Sequence, residues 1–238
     1  MEAKPSNQQP VKVKICGITT VADALRAAEA GADYIGVIIE IEFSPRRLSI
    51  EQARPICKNS VVPVVTLFFN WDAEQIKKAV QTLQPKCIQL QGLEPPSLVR
   101  TLKQDLTCEI WKAVHFPAQG QGQINTAEYL EKVNSFVEAG VDAIILDTVV
   151  STSGNKQRYG GTGQVSDWTV ATELVKAIPV RTFLAGGINP GNVRQAIEQV
   201  RPYGVDLCSG VEASPGTKDP QKLVALMAAV REANKGVR

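Results

Sequence analysis

The sequence predicts a single-domain (β/α)8 barrel, an α/β fold of the TIM-barrel type. Eight strand-like segments alternate with eight helix-like segments, which is the order of elements in such a barrel. The chain has 238 residues, and 44% of them are hydrophobic, so it is long enough to bury one sizeable core. A doubly wound sheet is the alternative, but it usually has fewer strands and a glycine motif at its switch point.

The predicted elements follow one another from Val11 to the end of the chain. Apolar residues that alternate or run continuously predict strands at 11–16, 33–39, 63–69, 87–91, 108–114, 142–147, 181–185 and 204–208. Apolar residues at helical spacing predict helices at 21–30, 49–58, 72–83, 95–104, 125–139, 167–177, 190–200 and 219–234. The polar segment 1–10 predicts a disordered tail, which leaves 11–238 for the barrel.

An internal repeat supports the barrel. The segment Ala30–Val37 resembles Ala139–Leu146, and Tyr203–Cys208 repeats the pattern more loosely. Each copy indicates a helix that ends at or near a glycine and then a buried strand. Repeated βα units produce this pattern, which indicates the architecture of the chain and not its activity.

The composition excludes several classes of partner. The formal net charge is +2 with both signs interspersed, so no basic stripe predicts nucleic-acid binding. No apolar run approaches the length of a membrane span, and the N-terminus has no apolar signal core. We therefore expect a cytoplasmic protein whose partner is a small molecule.

The cysteines and the histidine predict neither a disulfide framework nor a metal site. The five cysteines are an odd number without CxxC spacing. Cys87 and Cys108 lie in apolar strand-like runs, which is typical of core residues. His115 is the single histidine, and we interpret it as a loop or rim residue after the fifth strand.

Two residues at strand ends are candidates for acid–base chemistry. Cys16 ends the first predicted strand, and Gly17 opens the turn into the next helix. Asp147 ends the sixth strand after four apolar residues. A lone cysteine is usually a small buried hydrophobe, and an aspartate often caps a loop. Because barrel enzymes keep their chemistry at the carboxyl ends of the strands, the two together form a possible acid and base pair.

Three glycine-rich turns late in the chain are candidates for binding an anion. Gly161 and Gly163 precede the sixth helix, Gly186 and Gly187 follow the seventh strand, and the pair Ser209–Gly210 follows the eighth. Glycine turns and helix N-termini expose N–H groups to anions. Each turn alone could be an ordinary tight turn, but the loops after strands seven and eight are the usual phosphate site of such barrels.

Loops over the same face add further candidates. Arg46 and Arg47 lie in the loop after the second strand; solvation is the default for arginine, but a guanidinium at the barrel mouth suits a carboxylate. Long connections at 116–125 and 149–166 predict mobile flaps over the catalytic face.

Several separated motifs resemble the phosphoribosylanthranilate isomerase family of tryptophan biosynthesis. They are Lys14-Ile-Cys-Gly-Ile-Thr19, Ser44-Pro-Arg46, Leu146-Asp147, Gly160-Gly-Thr-Gly163, Asp167-Trp168, Ala185-Gly-Gly-Ile-Asn-Pro-Gly-Asn-Val193, Asp206-Leu-Cys-Ser-Gly-Val-Glu212 and Pro215-Gly-Thr-Lys-Asp219. No single motif is decisive, but their order and spacing are specific and cover nearly the whole chain after Pro10.

The resemblance implies an Amadori rearrangement in which the ribose ring of phosphoribosylanthranilate opens and gives a 1-deoxyribulose product. It implies Cys16 as general base, Asp147 as general acid and Arg46 as the residue that holds the anthranilate carboxylate. Backbone N–H groups near Gly187, Ser209 and Gly210 would hold the phosphate. It implies no cofactor and no metal, and it leaves monomer and homodimer both open.

The chain departs from the family pattern in three places, which keeps two other functions open. Gln91 stands where the family commonly has histidine, Glu40 and Glu42 lie in the loop after the second strand, and Cys208 stands where serine is frequent. One alternative is a paralogue that acts on another aminated ribose phosphate. The other is a barrel that binds sugar phosphate without turnover, against which the presence of both Cys16 and Asp147 argues.

Overall fold

Eight parallel strands form a closed barrel in the computed structural model, which describes residues 9–117, 125–152, 156–159 and 166–236. Of residues 149–152 and 156–159 only the backbone is described. The barrel strands are β1 (Lys12–Ile15), β2 (Tyr34–Ile39), β3 (Val64–Phe68), β4 (Cys87–Leu90), β5 (Glu109–Pro117), β6 (Ala143–Thr152), β7 (Arg181–Leu184) and β8 (Gly204–Leu207). The predicted fold class is confirmed.

The strands pair in sequence order, and β1 closes the barrel by pairing with both β2 and β8. The register places Lys14 opposite Tyr34 on one side and opposite Asp206 on the other. Every pairing between barrel strands is parallel. All carboxyl ends therefore point to one face, where the loops after the strands meet.

Among the described residues, eight α-helices surround the barrel. They are α1 (Val21–Ala30), α2 (Ile50–Asn59), α3 (Ala73–Leu83), α4 (Pro96–Asp105), α5 (Thr126–Glu138), α6 (Trp168–Ala177), α7 (Val193–Val200) and α8 (Pro220–Gly236). Side-chain caps define several of their starts: Thr20 caps α1, and Ser49 and Asp72 form capping boxes at α2 and α3. No helix in the described part of the chain is long and apolar enough to cross a membrane.

The core has two layers, as expected for a barrel. One lies between the strands and the helices, and the other fills the barrel interior. Trp111 stacks on Phe183 with ring centroids 4.8 Å apart, and Tyr34 packs edge-on to Trp111 at 5.0 Å. These large rings sit near the amino ends of their strands. They fill that end of the barrel, and the opposite end holds the pocket described below.

The structure differs from the predicted elements mainly where strands continue beyond the barrel. The strand β6 runs to Thr152 and pairs antiparallel with a strand at Lys156–Tyr159, although the sequence predicts a loop from 149. Four of the five residues from Thr148 to Thr152 are β-branched, which favours a strand, but the polar residues that follow obscure this signal. The remaining parts of the two predicted flaps, 118–124, 153–155 and 160–165, and residues 1–8 of the predicted tail lie outside the described residues.

Two smaller differences bear on the catalytic face. A short strand at Arg47–Leu48 pairs with β2, and a hairpin joins Glu212–Ser214 to Thr217–Lys218. The helix α7 begins at Val193 and not at 190. Before it, the N–H of Asn189 donates to Asn192 Oδ1 and the N–H of Gly191 donates to Asn189 Oδ1, which forms a turn.

Candidate active site

A pocket opens at the carboxyl ends of the strands. It encloses about 860 Å³, part of which is open to solvent, and this size is typical of a small-molecule site. Its walls combine apolar side chains, glycine turns and a few charged groups. The lining residues are Cys16, Ile38, Ile41, Phe43, Ser44, Pro45, Arg46, Leu67, Gln89, Gln91, Asp147, Ala185, Gly186, Gly187, Ile188, Asp206, Leu207, Cys208, Ser209 and Gly210.

Cys16 follows β1 directly and is 6% exposed at the pocket wall. Its N–H donates to the carbonyl of Leu207 at 2.7 Å, which continues the β1–β8 pairing by one residue. The next residue, Gly17, has a φ of +71°, and a Cβ there would lie 2.6 Å from Arg46 Cδ and 2.8 Å from Cys208 Sγ. Glycine at this turn therefore brings Arg46 and Cys208 close to the backbone that carries Cys16.

The surroundings of Cys16 favour its ionised form. A hydrogen bond with Cys208 lowers the pKa of the Cys16 thiol, and the cations of Lys14 and Lys218 lower it further. Burial and the carboxylate of Asp206 act in the opposite direction. The same bond to Cys16 raises the pKa of Cys208. A hydrogen bond thus joins the two thiols, and the two lysine cations favour a negative charge on the Cys16 sulfur.

Asp147 is held in one orientation by donors to both carboxylate oxygens. The N–H of Thr148 donates to Oδ1 at 2.8 Å, and the amide of Gln91 donates to Oδ2 at 3.0 Å. Gln89 in turn donates to the side-chain oxygen of Gln91 at 2.5 Å, which fixes the amide of Gln91 with its NH2 group toward Asp147. Asp147 is 7% exposed and lines the pocket.

The prediction that His115 is a loop or rim residue is wrong. His115 lies within β5, is 9% exposed and stands opposite Asp147 in the strand register. Its Nδ1 is 3.8 Å from Asp147 Oδ2, and its Nε2 is 2.8 Å from the carbonyl of Gln91. Burial lowers the pKa of the ring, so the neutral imidazole packs behind the carboxylate.

Arg46 reaches the pocket as predicted, but Glu212 holds one edge of its guanidinium. Its Nε and Nη2 donate to the two oxygens of Glu212 at 2.8 and 2.6 Å, and Lys218 Nζ lies 2.9 Å from the same carboxylate. This fork-to-fork pair raises the pKa of Arg46. Because guanidinium has five N–H donors, the others remain for a ligand. Arg47, the second arginine of the loop, is exposed.

The glycine turns after β7 and β8 lie side by side at the pocket wall. Gly186 and Gly187 have φ values of +85° and +65°, and a Cβ on Gly210 would lie 2.1 Å from the carbonyl of Ile188. The N–H groups of Gly187, Ser209 and Gly210 have no hydrogen-bond acceptor among the described residues. Unsatisfied N–H groups that converge on one wall suit an anion. Gly161 and Gly163 lie outside the described residues.

Replacing Gly186 with alanine is expected to lower the free energy of unfolding by about 2 kcal/mol. The new Cβ would lie 1.9 Å from Thr148 Oγ1 at a positive φ, so the turn must move. Chemical denaturation of purified protein measures the change. Gly191→Ala is the control, because its φ is ordinary and its nearest neighbour is the Asn189 side chain at 3.2 Å. An equal loss of unfolding free energy in Gly186→Ala and Gly191→Ala would contradict the conclusion that the turn requires glycine at Gly186.

The two glutamates of the loop after β2, which depart from the family pattern, do not line the pocket. Glu40 and Glu42 are exposed, and the loop turns Ile41 and Phe43 to the pocket instead. Their carboxylates give no reason to expect a different substrate. In the described part of the chain, no group of three His, Cys, Asp or Glu side chains is arranged to hold a metal ion.

Several residues of the site had no predicted role. Glu212 holds Arg46, Lys218 pairs with the same Glu212 carboxylate, and Lys14 pairs with Asp206 beneath Cys16. A signal for the second pair was present, since Lys14 lies on the same strand face as Cys16 and Asp206 lies on the same face as Cys208. Opposite charges at inward positions of two buried strands indicate a pair only when the strands are known to be neighbours.

Comparisons with known proteins show which family this chain is similar to. A family model described as N-(5'phosphoribosyl)anthranilate (PRA) isomerase matches residues 13–229. The N-(5'-phosphoribosyl)anthranilate isomerase of Methanocella arvoryzae is 38% identical over 87% of this chain and 92% of its own length. That of Methanopyrus kandleri is 38% identical over 93% of this chain and 99% of its own length.

Solved structures with the same family name superpose on nearly the whole barrel. Phosphoribosyl anthranilate isomerase from Thermotoga maritima has a TM-score of 0.78 at 34% identity, covering 93% of this chain and 99% of the other. A phosphoribosyl anthranilate isomerase in complex with reduced 1-(o-carboxyphenylamino)-1-deoxyribulose 5-phosphate has a TM-score of 0.75 at 32% identity, with the same coverage. The resemblance in the sequence motifs is therefore confirmed, and this chain belongs to the phosphoribosylanthranilate isomerase family.

Proposed function

We propose that this chain rearranges N-(5'-phosphoribosyl)anthranilate to 1-(2-carboxyphenylamino)-1-deoxyribulose 5-phosphate, the isomerase step of its family in tryptophan biosynthesis, with Cys16 as base and Asp147 as acid. The observation that supports this proposal is a single pocket that contains a thiol of lowered pKa, an oriented carboxylate, an arginine and two glycine turns. These are the groups that an aminated, carboxylated sugar phosphate requires.

The reaction needs a proton donor and then a proton acceptor. Asp147 in its protonated form gives its proton to the ribose ring oxygen, the C1–O bond breaks, and the ring opens to a Schiff base. Cys16 as thiolate then takes the proton from C2, which gives an enolamine that tautomerises to the 2-ketone. The two groups come from β1 and β6, so they reach the substrate from different sides of the pocket.

The anthranilate moiety fits the wall formed by the loop after β2 and by β3. Arg46 supplies the remaining N–H donors of its guanidinium for the carboxylate. Beside it, Ile41, Phe43 and Leu67 line the pocket and offer an apolar surface for the aromatic ring. Glu212 keeps the guanidinium plane fixed before the substrate arrives, which reduces the entropy lost on binding.

The phosphate fits the wall where the turns after β7 and β8 meet. The N–H groups of Gly187, Ser209 and Gly210 would donate to its oxygens. A positive φ with a close Thr148 side chain makes glycine necessary at Gly186, and a close backbone carbonyl makes it necessary at Gly210. A sugar phosphate anchored there and at Arg46 spans the pocket and brings C1, C2 and the ring oxygen toward Cys16 and Asp147.

A substrate panel tests this function. The panel contains phosphoribosylanthranilate, generated in place from anthranilate and phosphoribosyl pyrophosphate, and ribose phosphates that carry other amines. We expect turnover of phosphoribosylanthranilate and a loss of kcat/KM for amines without the carboxylate. A preference for another amine would favour a paralogue that acts on a different aminated ribose phosphate. The remaining observation that suggests such a paralogue is Gln91 beside Asp147. Binding without any product would favour a sugar-phosphate-binding barrel.

Replacing Arg46 with alanine is expected to raise KM by about 10- to 100-fold, since a charge-assisted contact to the carboxylate is lost. The turnover number should change much less, because the chemistry stays in place. Initial-rate kinetics separates the two constants. Arg47→Ala is the matched control, since this exposed neighbour contacts the backbone of Glu42 and not the pocket. An unchanged KM in the Arg46 variant would remove it from the carboxylate site.

A further inference from the structure

A lysine ammonium is buried inside the barrel directly beneath the pocket. Lys14 is 0% exposed, and its Nζ lies 2.7 Å from Asp206 Oδ2. The two residues face each other across the β1–β8 register. Asp206 lines the pocket, and its Oδ1 is buried without a hydrogen-bond partner in the described structure. A buried ion pair is expensive to desolvate and adds little net stability, so its presence under the reacting groups calls for a function.

The strand β2 brings the ammonium close to the sulfur of Cys16. Gly36 on β2 has no side chain, and its Cβ position would lie 2.8 Å from Cys16 Sγ and 3.2 Å from Lys14 Nζ. Both atoms therefore border the space that a larger residue at Gly36 would fill. The ammonium and the sulfur thus lie beside the same point in a site of low polarity, and a cation so placed favours the negative form of the sulfur.

We propose that Lys14 is a positioning residue that holds the sulfur of Cys16 in its anionic form, and that Asp206 limits this effect as the counter-charge. The proposal rests on the proposed role of Cys16 as base. Lys14 does not touch the substrate in this scheme; it acts through Cys16, while Asp206 accepts a hydrogen bond from the ammonium and fixes its position.

The other charged and titratable groups around Cys16 are accounted for. The Cys208 thiol and the Asp206 carboxylate face it from β8, and Lys218 faces it from the hairpin after β8. Arg46 lies in the loop after β2, and the carboxylate of Glu212 offsets much of its positive charge. Burial works against the charge of Lys14, but Asp206 and the Cys16 sulfur together raise its pKa. Lys14 thus remains charged over the whole range in which Cys16 titrates.

The proposal predicts that the pKa of Cys16 shifts in opposite directions when the two members of the ion pair are replaced. Lys14→Met removes a positive charge from the neighbourhood of the sulfur, so the pKa of Cys16 should rise. Asp206→Asn removes a negative charge and keeps the shape, so the pKa of Cys16 should fall. We expect shifts of about one pH unit each. A purely structural ion pair would move both variants in the same direction or neither, because either change breaks the same contact.

The test is the pH dependence of alkylation of Cys16 by iodoacetamide, followed on the Cys16 peptide by mass spectrometry between about pH 5 and pH 10. Only thiolate reacts, so the midpoint reports its pKa on the resting enzyme. Lys12→Met is the matched control: Lys12 lies on the same strand and pairs with Asp33 at 2.8 Å, but at the other end of the barrel. Its midpoint should equal that of the wild type.

Opposite shifts in the Lys14 and Asp206 variants support the proposal, and shifts of the same sign or no shift overturn it. Circular dichroism shows which variants fold. If Lys14→Met does not fold, Asp206→Asn alone decides, since an unchanged or raised midpoint contradicts the proposal. The alkylation readout does not depend on catalysis. A Cys16→Ala variant that kept its turnover would refute the proposed base, while the titration would still report on Lys14.

Discussion

Replacing Cys16 with alanine is expected to lower kcat by roughly 10²- to 10⁴-fold, the range that a positioned general base contributes. The proton on the substrate C2 then has no acceptor, while Arg46 and the glycine turns still hold the two ends of the substrate. Initial rates with phosphoribosylanthranilate give kcat, and calorimetry with a reduced, unreactive product analogue gives the affinity. We expect the affinity to change by less than about tenfold.

Cys57→Ala is the control for the loss of a thiol. Cys57 lies on α2 away from the pocket, and burial raises its pKa to about 11. It therefore stays protonated and has no part in the chemistry. A Cys16→Ala enzyme that kept most of its kcat would show that another group takes the proton, and a parallel loss in Cys57→Ala would show that the effect is on folding.

Replacing Asp147 with asparagine is expected to cause a similar loss of roughly 10²- to 10⁴-fold in kcat. Asparagine keeps the size of the side chain and can still accept from the N–H of Thr148, but it has no acidic proton for the ring oxygen. Ring opening then becomes the slow step. The same kinetic and calorimetric measurements apply, again with binding of the product analogue largely retained.

Asp167→Asn is the matched control for the Asp147 variant. Asp167 caps α6 through the N–H groups of Thr169 and Val170 and does not line the pocket. Asparagine keeps an oxygen that can cap the helix, and the proposed acid is untouched, so kcat should stay within about threefold of the wild type. If Asp147→Asn also stayed in that range, the general acid would have to be sought elsewhere in the pocket.

The order of the elements could be predicted because every βα unit carries its own local signals. Apolar runs of strand length alternate with helical spacing, and polar caps such as Ser49 and Asp72 mark helix starts. Most predicted bounds lie within a few residues of those observed. The exceptions are strands that extend past the barrel, where pairing with a hairpin partner, and not burial, decides the length.

The placement of Cys16, Asp147 and Arg46 in one pocket follows from the barrel rule that strand carboxyl ends share a face. Side chains alternate between the two faces of a strand, and this alternation would have predicted that His115 is buried. Trp111 and His115 lie on one face of β5, so a buried tryptophan predicts a buried histidine four residues on. The polar character of the segment that follows His115 obscured this signal.

The ion pairs of the site could not be predicted from one sequence. Arg46 and Glu212 are 166 residues apart, and Lys14 and Asp206 are 192 apart. Their contacts depend on barrel closure and on strand register, which local patterns do not encode. Closure brings the first and last strands together, and this is why the residues that tune Cys16 come from both ends of the chain.

The most direct test of the account is turnover of phosphoribosylanthranilate by the wild type, Cys16→Ala and Asp147→Asn in one assay. The substrate is generated in place, its loss is followed by fluorescence, and the ketose product is identified by mass spectrometry. We expect product from the wild type and a loss of at least about 100-fold in each variant. No product from the wild type, or equal rates in all three proteins, would contradict the assignment of this reaction to Cys16 and Asp147.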